Sequence, residues 1–202
     1  MSRQRVEAFS DGVFAIAITL LILTITQPDY SKHLANELAQ RWPALAAYVV
    51  SFAVIGIMWL NHHTIFSHLE YIDRGMFYRN LVLLMTIVFI PYPTGIFGET
   101  LRRHGDAKTA AVFYSAAMTV NAMAWTGVWL HASLNRRLLR PDFPEDQRKR
   151  ATILFSAGVL FYGIATGIAF LNPYLCLGFH GALALYYAFD PISRRVARQQ
   201  AG

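Results

Sequence analysis

Long uncharged runs separated by short charged clusters dominate this chain. Residues 12–28 carry no Lys, Arg, Asp or Glu, and residues 151–189 carry none over 39 positions. At 1.5 Å of helical rise per residue, the 17 residues of the first run cover about 25 Å, close to the hydrocarbon thickness of a bilayer. The second run is long enough for two crossings, and Asn172-Pro173 divides it, because proline lacks an N–H and restricts the residue before it. With charged residues as boundaries, the pattern predicts six membrane spans at approximately 6–27, 43–66, 76–98, 109–134, 151–171 and 173–189. Between the first two, Tyr30, Leu34, Leu38 and Trp42 recur every fourth residue, while Lys32, Asn36, Glu37 and Gln40 take the other faces. That spacing predicts a helix over about 30–41 lying flat at the outer membrane interface. The expected fold is therefore an all-α integral membrane protein, a single six-helix domain over residues 1–202.

Composition agrees with this pattern. Hydrophobic residues make up 55% of the chain and charged residues 15%, against roughly a quarter charged in a soluble domain. Thirteen of the Lys and Arg residues fall in the N-terminus, the 67–79 and 135–150 connections and the tail, and five fall in the alternate connections. The positive-inside rule then predicts a multi-pass protein of the cell membrane with both termini in the cytoplasm. The same rule accounts for the basic balance and for the cluster Arg136, Arg137, Arg140, Arg148, Lys149 and Arg150. No basic patch is interleaved with base-stacking aromatics, so nucleic acid is not an expected partner. Trp42, Tyr48, Tyr71, Tyr78 and Tyr92 fall near span ends, where amphipathic rings anchor at the interface. Cys176 is the single cysteine and lies within a span, so no intrachain disulfide frames the fold.

A few polar groups interrupt this pattern where burial makes them costly. Arg5, Phe9, Ser10 and Asp11 sit at the mouth of the first span. Asp11 has two readings: a member of a polar network with Arg5, Ser10 and His62 or His63, or an acidic ring that attracts cations. The network is favoured, since opposite charges relieve one another's burial, and the Arg5 to Asp11 separation requires tertiary or intersubunit pairing. His62 and His63 point about 100° apart on a helix and seldom share a metal ion, so one is expected in the network and the other at the interface. His180, mid-span and alone, reads as a hydrogen-bonded packing residue. Asn80 lies early in the third span, and Pro91 and Pro93 are expected to kink that helix near its outer end. Along the first span Ile16, Thr19, Leu20 and Leu23 share one face, which in a helix apolar all round is more often lipid-facing or packed core than functional.

The run RVEAFSDGVFAIAITLLIL is similar to the first transmembrane helix of the transmembrane protein 175 family, the endosomal and lysosomal potassium channels and their prokaryotic relatives. Trp59 with His62, His63 and Phe66, and the Asn80 to Thr94 run ending in Ile-Pro-Tyr-Pro-Thr, carry the same resemblance through the first half of the chain. It implies a single-copy member that assembles as a homotetramer, with the first helix lining a pore. Carried over to this sequence, Ile16 forms the narrowest ring, Leu20 and Leu23 further hydrophobic rings, and Thr19 a polar selectivity layer, while Arg5, Phe9, Ser10, Asp11, His62, His63 and Asn80 form the structural polar network. Such a constriction excludes water, and a slight widening admits a partly dehydrated cation. The implied function is a potassium channel of modest selectivity over sodium, with membrane lipid and its own copies as partners. No cofactor is implied beyond the permeant potassium ion, and no metal site. The alternative is a proton-coupled secondary transporter using Asp11 and a histidine. An enzyme is not expected, because no nucleophile, base or metal constellation converges.

Overall fold

Helices cover all six apolar stretches in the computed structural model, which describes residues 2–28, 33–103, 105–135 and 137–188. Among them are eight α-helices: α1 (Arg3–Leu20), α2 (Leu34–Ala39), α3 (Trp42–Ser67), α4 (Arg74–Phe89), α5 (Pro91–Arg103), α6 (Ala107–Leu134), α7 (Glu145–Leu171) and α8 (Pro173–Ala188). Four segments are long and apolar enough to cross a membrane: Arg3–Thr24, Trp42–Ser67, Arg74–Arg103 and Glu145–Leu171. This is an all-helical membrane protein. Tyr30, Lys32, Arg136 and the end of the last span at 189 lie outside the described residues, and α2 is the part of the expected surface helix that falls within them.

Two expected helices differ in shape from a single rod. The first does not continue to residue 27: it tightens into a 3₁₀ turn over Leu21–Thr24 and is extended at Ile25. The Thr24 hydroxyl donates to Leu21 O at 2.7 Å, an i−3 bond that favours the tighter turn. The third span is two helices, since Pro91 and Pro93 each remove an N–H from the ladder and the chain breaks at Ile90. Ile90 N turns back to Ile87 O at 3.1 Å, and the buried Thr94 hydroxyl donates to Ile90 O at 2.8 Å, so the break is sealed by local bonds. Past it, Gly98 lets α5 lie directly against α3, because a Cβ there would come within 2.8 Å of Ala44 Cα.

The hub is α6, which packs along α7 and also against α4, α5 and α8. Its moderate apolarity follows from that position: it buries small residues such as Ala110, Ala111, Ala122 and Ala132 beside Tyr114, Trp125 and Trp129, allowing backbones to approach closely. Several polar side chains within the bundle pair with one another. Ser51 meets the hydroxyls of Thr94 at 2.9 Å and Tyr114 at 3.0 Å, and Ser115 meets His180 Nε2 at 2.9 Å.

The base of the bundle, where α1, α4 and α7 begin and α3 and α6 end, is tied by backbone and ion pairs. Glu70 N bonds Leu138 O, Arg140 N bonds His68 O, and Arg3 donates to the carbonyls of Ser67 and Leu69. Asp73 caps α4 by accepting from Met76 N at 2.6 Å and lies 3.0 Å from His131 Nε2 on α6. Partial burial pushes the Asp73 carboxyl up, but the Met76 N–H and the His131 ring outweigh it and hold the group below the ordinary aspartate value. A carboxyl lowered by folding stabilises the native state above its unfolded pKa near ~4, and the contribution is lost as pH falls through the depressed folded value. Thermal melting of the solubilised protein is therefore expected to drop on acidification below about pH 4, with a shallower drop in Asp73→Asn, which has no carboxyl to titrate there. Identical acid slopes in the two proteins would assign the loss to other groups.

Candidate functional site

One face of α1 is welded to the bundle and the opposite face is bare. Val6, Ser10, Phe14 and Ala17 are buried, continued by Leu21, and α1 packs on α3 and α4. On the other side Gly12, Ala15, Ile16, Thr19, Leu20 and Leu23 are all exposed, with Ile16 at 58%, Leu20 at 37% and Leu23 at 76% of their accessible area uncovered. The Thr19 hydroxyl donates to the carbonyls of Ala15 and Ile16, both at 2.9 Å. Its hydrogen is thus committed to the helix, and its oxygen lone pairs remain available on the bare face.

The orientation of that face is set by a buried triad. Ser10 Oγ donates to Val6 O at 2.8 Å and accepts from Asn80 Nδ2 at 3.0 Å, and Asn80 Oδ1 lies 2.9 Å from His62 Nε2. With the amide oxygen accepting, the His62 proton on this side sits on Nε2. All three residues are fully buried and come from α1, α4 and α3 in turn. His62 is fixed in plane by Phe66, stacked at 4.0 Å, and by the edge of Phe14 at 5.4 Å. A half-satisfied polar network in an apolar interior is costly, so this triad specifies one rotation of α1 against its neighbours.

The remaining residues singled out in the sequence lie elsewhere. Asp11 is exposed and accepts from the indole N–H of Trp59 at 2.9 Å. Arg5 is exposed and makes no ion pair with Asp11 among the described residues; the arginine tied at this end is Arg3, which pairs with Glu7 at 3.4 Å. Phe9 and His63 are also exposed. The seven expected members of a polar network therefore divide into a buried triad of Ser10, His62 and Asn80, a separate Asp11 contact to Trp59, and three exposed side chains.

Two partners were not identified as site residues from the sequence. Trp59 sits three residues before His62 on α3, so its spacing already placed it beside the histidine. Arg41 was counted only as a loop charge, yet it is 5% exposed. Its guanidinium donates to the carbonyl and hydroxyl of Thr26 and to Gln27 O at 2.8 Å, with Glu37 at 3.7 Å. Thr26 in turn donates to Glu99 at 3.2 Å, which Arg102 also holds. The far end of the first span is thereby clamped to α2, α3 and α5, while its near end is fixed by the triad. No group of three metal-ligating side chains occurs among the described residues.

Residues 5–91 match the family described as endosomal/lysosomal potassium channel TMEM175. A potassium channel of Streptomyces collinus is 45% identical over 190 residues, covering 93% of this chain and 92% of that protein. The chain belongs to the TMEM175 family. The human endosomal/lysosomal proton channel TMEM175 is 32% identical over 87% of this chain, which spans 36% of the human protein. A crystal structure of a lysosomal potassium-selective channel TMEM175 homolog from Chamaesiphon minutus superposes with a TM-score of 0.83 at 37% identity, covering 92% of this chain and 96% of that one. The TMEM175 match spans the whole signature segment, so the triad and the bare face of α1 both lie within the residues that define the family here.

Proposed function

We propose that this TMEM175-family protein is a potassium channel of the cell membrane, in which α1 from four copies lines a pore and Ile16 forms its narrowest ring. The observation that carries the reading is the bare apolar stripe on α1, held at one rotation by Ser10, Asn80 and His62 and clamped at its far end by Arg41. One helix cannot enclose a pathway, but copies arranged about an axis can. Rings of Ile16, Leu20 and Leu23 would exclude water from a narrow throat, and a small widening would admit a cation that sheds part of its hydration. The outward lone pairs of Thr19 would replace some of that water. Potassium releases water more readily than the smaller sodium ion, so selectivity is modest compared with a filter of backbone carbonyls.

The surrounding assignments follow. Six spans per subunit, the fourth formed by α6 and the sixth by α8, return both termini to the cytoplasm, in keeping with the segregated Lys and Arg residues. Lipid contacts the outer faces of α7 and α8. Asp11, held by Trp59, stands at the cytoplasmic mouth of the pathway. The transporter alternative draws less support, because Asp11 and His62 have separate partners and share no hydrogen bond.

The test is electrical. Purified protein reconstituted into lipid bilayers should carry cation current under a potassium/sodium gradient, with reversal on the potassium side. Thr19→Ala should move that reversal toward the sodium value without abolishing current. A folded, correctly assembled preparation that is silent would overturn the channel reading, and the mass of the solubilised complex gives the subunit count directly.

A further inference from the structure

A cavity of about 130 Å³ opens between α3, α6, α7 and α8, away from α1 and its triad. Protein interiors seldom leave voids larger than a water molecule, and one water needs only about 10–15 Å³ of such space. The cavity follows from the uneven lengths of the helices. Tyr187, in the last turn of α8, lies beside Gly158, where a Cβ would come within 3.3 Å of the tyrosine oxygen. Gly158 is midway along α7, so the described part of α8 stops half-way down its neighbour. Below that level α3 and α7 stand apart with α6 as the floor, since α3 packs on α8 and α7 on α6 and α8. Val54, Met58 and Tyr162 make the inner part of the gap apolar, and Asn61, His68 and Gln147 make the part nearer the base polar. None of the lining residues is Asp, Glu, Lys or Arg.

We propose that this gap is the docking site of the chain's own C-terminal segment, residues 189–202. The chain leaves α8 at Ala188, one residue past the cavity wall at Tyr187, so the segment is tethered at the edge of the space and needs no association from solution. Its 14 residues are long enough: the gap runs down α7 from Gly158 to Gln147, about 16 Å of helical rise. The register agrees. Trp42 stacks on Tyr174, and Gly181 lies against Val50, so α3 and α8 descend side by side in step. Continued in that step, and measured on α7 from the Tyr187 to Gly158 contact, Ile192 comes level with Asn61 and Leu154, and Arg198 level with Gln147. Polarity along the segment then matches polarity along the gap. Phe189 and Ile192 fall at the apolar part, while Arg194, Arg195 and Arg198 fall toward the base, where long side chains reach water and the exposed Asp146 offers an opposite charge. Asp190 before Pro191 is a helix-start signal, and Ile192 and Val196 at i and i+4 would share one face against the floor of Trp125 and Trp129.

Cysteine pairs in the full-length protein, reconstituted in lipid, test the placement. A disulfide needs Cα atoms within about 7 Å, so it reports on proximity. Leu154 lines the gap, whereas its neighbour Ile153 sits at the same depth, is 68% exposed and does not line it. On mild oxidation Ile192→Cys/Leu154→Cys should form an intrachain disulfide several-fold faster than Ile192→Cys/Ile153→Cys, with peptide mapping to set aside the buried Cys176. A second measurement reads occupancy. Leu154→Cys alone should react slowly with a small maleimide, and several-fold faster when Ile192→Asp/Val196→Asp places two acids on the docking face. Equal disulfide rates for the two pairs would overturn the proposal and leave the gap to lipid acyl chains. A disulfide that joins two chains would overturn it too, by placing the segment on a neighbouring copy. If the acidic variant does not fold, the disulfide comparison decides alone.

Discussion

Ile16→Asn is expected to turn a gated conductance into a leak, raising resting cation flux by at least about tenfold, since a barrier lowered by only ~1.4 kcal/mol gives that factor. The reasoning rests on two properties of the position. Ile16 lies on the face of α1 that no other described helix covers, so the substitution leaves the packing of the described protomer intact and a polar side chain there strands no buried group. In the proposed assembly the same residue meets its own copies around the axis, where an amide ring holds water that an isoleucine ring expels. Flux of both potassium and sodium should rise, because a hydrated throat no longer requires dehydration. Ile153 on α7 is 68% exposed and serves as the control, being equally apolar and uncovered but on a helix that packs mainly on α6 and α8. Ile153→Asn should leave flux at the wild-type level. If the two variants behave alike in a liposome flux assay, the pathway does not run along α1.

Much of this geometry is legible along the chain, though unevenly. The helix period alone put Ile16, Thr19, Leu20 and Leu23 on one face, and the structure leaves that face bare. Periodicity could not say what covers it, because the stretch 12–25 carries no charge on any side. The pairing of Asp11 was illegible for a different reason. Arg5 is the nearest opposite charge in sequence, but an exposed ion pair contributes little, and the indole of Trp59 arrives from a helix 48 residues away. Arg41 shows the limit of counting charges: its guanidinium is turned inward to carbonyls that the 3₁₀ turn and extended segment after α1 leave without helical partners. The Pro91 and Pro93 pair marked the bend in the third span, whereas the length of α5 beyond it, running to Arg103, depends on the Glu99 ion pairs with Arg102 and Arg103 that satisfy charge at the helix end.

The buried triad yields the largest expected effect on stability. Asn80→Leu keeps the volume of the side chain but removes the acceptor that His62 Nε2 uses and the donor to Ser10. Ser10 retains its bond to Val6 O, so the loss concentrates on the imidazole, which is fully buried and already has no partner at Nδ1. Stranding its remaining N–H should cost on the order of 1–3 kcal/mol, a substantial share of a total stability of about 5–15 kcal/mol. The same substitution unpins the rotation of α1, so conduction should fall along with melting temperature. A double-mutant cycle separates the hydrogen bond from simple packing damage. His62→Phe places an apolar ring against Phe66, and replacing both partners of a buried pair by apolar groups is close to neutral. The double variant Asn80→Leu/His62→Phe should therefore melt above Asn80→Leu alone, with a coupling of at least about 1 kcal/mol. It should recover the fold more fully than the current, since two apolar side chains fill the space without fixing the angle at which α1 presents Ile16. Strict additivity of the two single variants would mean that the His62 to Asn80 contact contributes nothing beyond packing, and that the rotation of α1 is fixed by its apolar face alone.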